Sequence, residues 1–519
     1  MATGCPMMPE APAGSRVPSL EGWLFLAALA LALFPVWGVY YPPGLDVPEH
    51  ALAMQIVAQG SHDAGAECHG RLFLNSPWAP YSLLFVLASP LVRLAGALAA
   101  VKVFLTIIVV GTAVALRRLL RLAGSDPFAF YFGFPFLFGT AWLAGFLYYL
   151  AALPLALLLV HAALRRPCPD WKGFFARLAA MFVLAWMHPL LYVGAAVLLG
   201  AMLAWLLARQ KRAATEWMAV ALWLGLPAAY VIAWTPALAL STAVHWRNKL
   251  HSLTRCFLDV GAHNLAVFDQ PFWLPKLPLL AWLGWTLAEW GKGWRLEAGG
   301  WRAHGLQPAS AMVAEARGAL KAAVLTLLAA TLLLPEGFSG QLVTAAFRYA
   351  PLAGLLTAAL LPPLATRRSL QRALLVAWCF AVLAGNAALA WRFNQQMNQF
   401  VRLARLMAPR QTVALAYEGP ENTLFHHALS YYNLEEGGVN ASSFLVKEGT
   451  QHFPVRLLPP WPWGNAWDNT LQPPLTHPGA RAFRYVVAKT SRGSEEPEPA
   501  LPFHRLLARE GGWLLFERR

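Results

Sequence analysis

An uncharged apolar run about twenty residues long must close its own backbone hydrogen bonds wherever water is excluded, and a single helix is the structure that does so. Such runs recur along most of this chain, beginning with Gly22 to Val39. Of the 519 residues, 58% are apolar types and 13% are charged, with a mean hydropathy of +0.46. An ordinary soluble domain is roughly 25% charged. The expected fold is therefore an all-α polytopic membrane protein, with membrane lipids as partners. The net charge of +15 does not point to nucleic acid, because Lys and Arg fall in short clusters between the apolar runs, as membrane topology requires. The five cysteines, Cys5, Cys68, Cys168, Cys256 and Cys379, stand singly and form neither a CxxC pair nor a metal-ligand spacing. The first run has no small-x-small cleavage site and ends in Trp, Tyr and Pro, so it reads as a retained helix rather than a signal peptide.

Basic clusters at Arg117, Arg118 and Arg121, at Arg165 and Arg166, at Arg209, Lys211 and Arg212, and at Arg367, Arg368 and Arg372 are expected to face the cytoplasm. The block Lys292 to Lys321 joins them. Between clusters lie stretches of about 40 residues, enough for two helices of ~20 residues each. The loop Tyr41 to Pro77 carries Asp46, Glu49, Asp63 and Glu67 against Arg71 and belongs outside. One stretch breaks the parity: Pro77 to Arg117 needs an odd number of crossings but is nearly twice the length of one. Either part of it lies in the interface or is re-entrant, or the Arg117 cluster faces out. The expected total is about eleven to thirteen spans. After residue 394 the pattern changes to strand-like pieces, "TVALAY", "RYVVAK" and "WLLFER", separated by Pro, Gly and charged turns. The expected division is a cytoplasmic tail 1–20, a membrane module 21–393 with outer loops 41–77 and 240–272 and a cytoplasmic loop 291–320, and a small extracytoplasmic α/β domain 394–519. The implied location is an integral plasma (inner) membrane.

The stretch "YYPPGLDVPEHALAMQ" follows the first apolar run and gathers Asp46, Glu49 and His50. Asp46-x-x-Glu49 with Pro48 between them has the pattern of a helix start, Asp capping and Glu reaching back, before an amphipathic helix lying on the membrane surface. A carboxylate fixed beside a second carboxylate and an imidazole is also equipped to take a proton or to hold a divalent cation. Both readings stay open. The next polar stretch, with His62, Asp63, Glu67 and His69, reads as a solvated loop.

A first helix, a large outer loop opening on an acidic residue before an amphipathic helix, many further spans and a soluble tail together resemble the GT-C class of lipid-phosphosugar-dependent glycosyltransferases. "GFLYYLAALPLALLLVHAALRR" and "WMHPLLYVGAAVLLG" also look like helices recurring in uncharacterised bacterial members of that class. The resemblance implies transfer of a sugar from a polyprenyl-phosphate donor to a lipid, glycan or protein acceptor at the outer membrane face. It gives Asp46 the role of general base or metal ligand, with Glu49 and His50 beside it and Mg2+ or Mn2+ as cofactor. The adjacent acidic pair of some members is absent here. His188 would sit near a helix end, facing a cavity or bonded to a neighbouring carbonyl.

A lipid phosphate needs cations at the outer edge. Arg348, after the polar turn Pro335 to Gly340, is placed there by topology and looks like the late loop of this class that contacts the donor phosphate; a snorkelling arginine is the other reading. Arg247 and Lys249, in a loop expected outside, are further candidates. Trp461, Trp463 and Trp467 read as a platform docking the tail on the bilayer. The rival functions are a transporter or flippase of a lipid-linked saccharide precursor, and a membrane scaffold without catalysis.

Overall fold

The computed structural model describes residues 19–63, 71–74, 76–211, 213–234, 308–333, 337–338, 341–342, 345–361, 368–417, 420–440, 455–458, 483–490, 501 and 503–519. The elements in chain order are α1 (Leu20–Trp37), α2 (Val47–Gln59), β1 (Ser61–Asp63), β2 (Arg71–Leu74), α3 (Leu83–Ala95), α4 (Ala97–Leu122), α5 (Ala129–Gly133), α6 (Thr140–Leu143), α7 (Leu147–Arg165), α8 (Trp171–Met187), α9 (Pro189–Arg209) and α10 (Ala214–Trp234). There follow α11 (Pro308–Leu333), β3 (Gly337–Phe338), β4 (Gln341–Leu342), α12 (Ala345–Ala358), α13 (Arg368–Ala404), β5 (Thr412–Tyr417), α14 (Leu429–Glu436), β6 (Val439–Asn440), β7 (Val455–Leu458), β8 (Tyr485–Lys489), β9 (His504–Glu510) and β10 (Trp513–Arg518). Among the described residues six helices, α1, α4, α7, α9, α10 and α13, are long and apolar enough to cross a membrane, which is compatible with a multi-pass membrane protein. The expected number of about eleven to thirteen is not reached among the described residues; residues 235–307, with the loop 240–272, lie outside them.

Polar contacts between helices fix their directions. Arg117 of α4 pairs with Glu21 at the start of α1 at 2.6 Å, and Lys102, two turns into α4, donates to the Val39 carbonyl beyond the other end of α1 at 2.7 Å. The two helices are therefore antiparallel. Arg372 of α13 meets Asp126 at 2.7 Å just past the end of α4, while Asn394, much further along α13, accepts from the amides of Tyr40 and Tyr41 at 3.0 Å. One end of the bundle thus carries Glu21, Arg117, Asp126 and Arg372, and the other carries Tyr40, Tyr41 and Asn394.

The parity break between residues 77 and 121 has a structural cause. Helix α3 has 13 residues, about 20 Å of rise, too short to cross a ~30 Å hydrocarbon layer. It packs on α2 and α4 at the Tyr40 end, and Gly96 turns the chain directly into α4. A single long helix therefore carries the chain to Arg117, which shares its end of the bundle with Glu21.

Helix α2 departs from expectation. Every residue from Val47 to Ala58 except Gln55 is buried, so it is not a surface-lying amphipathic helix. It is wedged between α3, α4 and α14.

The tail forms a five-stranded sheet in the order β6-β5-β8-β10-β9. β5 runs parallel to β6 and β8, β10 is antiparallel to both of its neighbours, and α14 makes the crossover from β5 to β6. The three strand-like pieces read from sequence are β5, β8 and β10. The junction expected at residue 394 lies inside α13, which has 37 residues and rises about 55 Å. Its last turns serve the tail: Trp513 donates its indole N–H to the Gln396 carbonyl at 3.0 Å, and Phe400 packs on the Trp513 ring. A second, three-stranded sheet, β1-β2-β7, joins the tail to the first loop, with Arg71 opposite Leu458 and Leu74 opposite Val455.

Candidate functional site

The site is built on a backbone junction. The chain leaving α1 crosses the turn between α6 and α7, where Leu45 and Asp46 donate their amides to the carbonyls of Leu143 and Ala144 at 2.9 and 3.1 Å. Gly145 closes that turn at a φ of +73°, and a Cβ there would stand 2.8 Å from the Asp46 nitrogen and 2.9 Å from that of Val47. Glycine is needed both for its conformation and for the close approach. His50, one turn along α2, is held at 3.1 Å from the Gly145 carbonyl through Nε2. A carbonyl only accepts, so Nε2 carries the proton. The ring lies edge-on to Tyr148 with centroids 4.6 Å apart. Burial lowers its pKa to about 3, the Gly145 bond offsetting only part of that, so His50 is neutral.

Asp46 occupies the N-cap position of α2, yet its carboxylate makes no capping hydrogen bond. The Asp46 amide is itself taken by the Ala144 carbonyl. The capping pattern read from the sequence is present in position, without the cap bond from Asp46. Both carboxylates turn instead to the tail. His427 stands between them, with Nε2 3.5 Å from Asp46 Oδ1 and Nδ1 3.6 Å from Glu49 Oε1. Ser430 donates its hydroxyl to the same Glu49 oxygen, and His426 packs edge-on against His427, centroids 4.4 Å apart. Glu49 is fully buried, whereas the Asp46 side chain keeps 19% of its surface exposed. One carboxylate is therefore partly open to a reactant, and the other is buried on the far side of the imidazole.

The tail is pressed onto this site by contacts on either side. Tyr431 donates to the Pro42 carbonyl at 3.2 Å and stacks at a tilt on Tyr41, and Gln55 donates to the Leu434 carbonyl at 3.0 Å. His427 and Ser430 are the residues that the sequence reading missed. The signal was the pair His426-His427 just before the run "ALSYYN", in a segment read only as part of a soluble domain.

Of the other candidates, His188 is linked to His50 through the rings of Tyr81 and Tyr148. His188 caps α9: its Nδ1 accepts from the Leu191 amide at 3.0 Å, and its ring lies edge-on to Tyr81 and Tyr149. It stands at a helix end, as expected, closing α8 and opening α9. Arg348 lies in the first turn of α12, next to Tyr349, whose hydroxyl donates to the Leu190 carbonyl at 2.9 Å near the start of α9. Arg247, Lys249 and the tryptophans at 461, 463 and 467 lie outside the described residues. Of the three residues expected to hold Mg2+ or Mn2+, Asp46 and Glu49 both lie beside His427, while His50 gives its Nε2–H to the Gly145 carbonyl. Among the described residues no group of three His, Cys, Asp or Glu side chains is arranged to hold a metal ion.

Two hollows flank the site. One, of about 340 Å³, has a polar lining that includes Tyr41, Arg405 and Glu435. The other, of about 550 Å³, is largely apolar, lying between Val57, Val86 and Pro90 with Arg93 at its side. No protein family model, no curated protein and no solved structure matches the chain.

Proposed function

We propose that this chain is an inverting membrane glycosyltransferase that moves a sugar from a polyprenyl-phosphate donor to an acceptor at the Tyr40 end of the bundle, which on this reading is the extracytoplasmic side of the plasma membrane. One observation carries the reading: a partly exposed carboxylate just beyond the first long apolar helix, Asp46, backed by an imidazole and a second, buried carboxylate from His427 and Glu49. General base catalysis needs an accessible acceptor atom held rigidly, and the backbone junction at Gly145 supplies the rigidity.

Asp46 takes the proton of the acceptor hydroxyl as its oxygen attacks the anomeric carbon. The bond from that carbon to the donor phosphate oxygen breaks, and the electron pair leaves with the polyprenyl phosphate. A single displacement inverts the anomeric centre. His427, when protonated, directs an N–H toward each carboxylate and holds Asp46 in place. The phosphate is a good leaving group, so the protein mainly supplies positioning and charge stabilisation. Arg348 takes the phosphate in this scheme, with Arg247 and Lys249 as further cations.

The test uses the purified protein in liposomes with a radiolabelled polyprenyl-phosphate sugar and a pool of envelope acceptors. Label moving from lipid to acceptor supports the enzyme. Label crossing the bilayer on an unchanged lipid would make the protein a flippase, and label that neither moves nor crosses would leave a scaffold.

A further inference from the structure

The tail closes the Asp46 site on one side, through His427 and Ser430. The bundle supplies another wall, which has no part in the transfer step described for Asp46. Its centre is Tyr148, in the first turn of α7 and just beyond Gly145, the glycine that meets the Asp46 and Val47 nitrogens. Three rings stand edge-on to that of Tyr148: His50 at a centroid distance of 4.6 Å, Phe85 at 5.0 Å and Tyr81 at 5.7 Å. They come from α2, from α3 and from the turn before α3, so the Tyr148 ring cannot swing to another rotamer without displacing one of them.

Tyr81 is itself held under strain. Its φ of +69° lies in the left-handed region, which a bulky side chain rarely adopts. Its amide donates to the Trp186 carbonyl at 2.8 Å, and its ring stands between those of Tyr148 and His188. Strain of this kind persists where the surrounding structure dictates the position of a side chain.

Only 5% of Tyr148 is exposed, and its hydroxyl makes no hydrogen bond among the described residues. An enclosed hydroxyl without a partner destabilises a fold, whereas phenylalanine would keep the three ring contacts and omit the penalty. Packing therefore accounts for the ring and not for the oxygen. That oxygen stands within reach of the charge of Asp46, the partly open carboxylate of the site. The hydroxyl is already stripped of water, so a bond to an incoming ligand oxygen is not offset by lost hydration on the protein side.

The transfer step decides which ligand oxygen this is. With Asp46 on the attacking oxygen, groups beside Asp46 face the anomeric carbon and its ring neighbours, the ring oxygen and carbon 2. A donor on the ring oxygen would oppose the positive charge that develops there in an oxocarbenium-like transition state; hydrogen bonds to the 2-hydroxyl instead strengthen as that state is approached. We propose that the Tyr148 hydroxyl donates a hydrogen bond to the 2-hydroxyl of the transferred sugar, which makes Tyr148 a specificity-determining residue selecting donors oxygenated at that carbon. The assignment rests on the proposed transfer reaction with Asp46 as base.

The test measures transfer by the full-length protein in liposomes, wild type and Tyr148→Phe. The probes are radiolabelled polyprenyl-phosphate donors carrying glucose, galactose, mannose or arabinose, each with and without its 2-hydroxyl. The wild type should favour the hydroxylated member of the pair it uses best by about 10-fold to 100-fold in kcat/KM. Tyr148→Phe should use both members at about the same slow rate, and its unfolding temperature should equal or exceed that of the wild type. A tyrosine that only packed would leave the discrimination unmoved. Equal use of both members by the wild type, or a preference that persists in Tyr148→Phe, would overturn the assignment and leave the transfer reaction standing. An unfolding temperature well below that of the wild type would show that the hydroxyl is bonded in the resting protein, and would overturn it too. A wild type that transfers label from none of the donors would overturn the transfer reaction and the role of Tyr148 together.

Discussion

Replacing Gly145 by alanine should unseat the loop that carries Asp46. The added Cβ would stand 2.8 and 2.9 Å from two backbone nitrogens. Neither neighbour is a flexible side-chain end, so the turn and the loop must separate by about half an ångström to reach ordinary van der Waals contact. That movement stretches the two amide bonds from Leu45 and Asp46, now 2.9 and 3.1 Å, and the His50 contact with the Gly145 carbonyl. A left-handed φ of +73° costs an alanine about 1 to 2 kcal/mol, and weakening one or two buried hydrogen bonds adds about 1 to 3 kcal/mol. Gly60 provides the control, with φ +81° and nothing within 4 Å of where a Cβ would stand, so Gly60→Ala carries the conformational cost alone. Thermal unfolding of the two purified variants in detergent should place Gly145→Ala clearly below Gly60→Ala, by about 1 to 3 kcal/mol. Equal stabilities would show that the loop does not bear on the turn and would refute the account of how Asp46 is held.

Stability should also fall in acid because of His50. Its folded pKa of about 3 lies below the ordinary 6.5, so the unfolded chain binds the extra proton first; the contribution is fully present above pH 6.5 and is lost as pH falls toward 3, with a slope on the order of 1 kcal/mol per pH unit. Unfolding followed from pH 8 to 5 should show this slope below pH 6.5 in the wild type and not in His50→Gln. His427→Ala should lower the turnover of transfer about 100-fold through misplacement of Asp46, with little change in KM; an unchanged turnover would remove His427 from the site. Transfer should persist in EDTA, and its loss with recovery on adding Mg2+ would restore a metal to the mechanism.

The sequence carried the local features well. Strands β5, β8 and β10 were legible because each is a short apolar piece bounded by turn residues. The start of α2 was legible from Asp46, Pro48 and Glu49. What those carboxylates do was not, because His427 and Ser430 lie almost four hundred residues away and only the folded tail brings them near. The burial of α2 was hidden for a related reason: Gln55 and Gln59 give it a polar look, while the covering surface comes from α14 in the tail and from α3. The boundary at residue 394 misled because polar residues there signal the end of an apolar run, whereas the helix continues to Ala404 and packs Phe400 against Trp513. The side of Arg117 stayed open in the sequence because its partner Glu21 is almost a hundred residues away; the short α3 explains the surplus of apolar residues before it.

The most direct test of the proposed chemistry is the rate of label transfer from a polyprenyl-phosphate sugar by Asp46→Asn compared with the wild type. The substitution keeps the size of the side chain and removes the base. The account predicts a loss of about 100-fold to 10,000-fold, with the variant still folded and still retaining the donor lipid. Transfer at a near-normal rate by Asp46→Asn would contradict it.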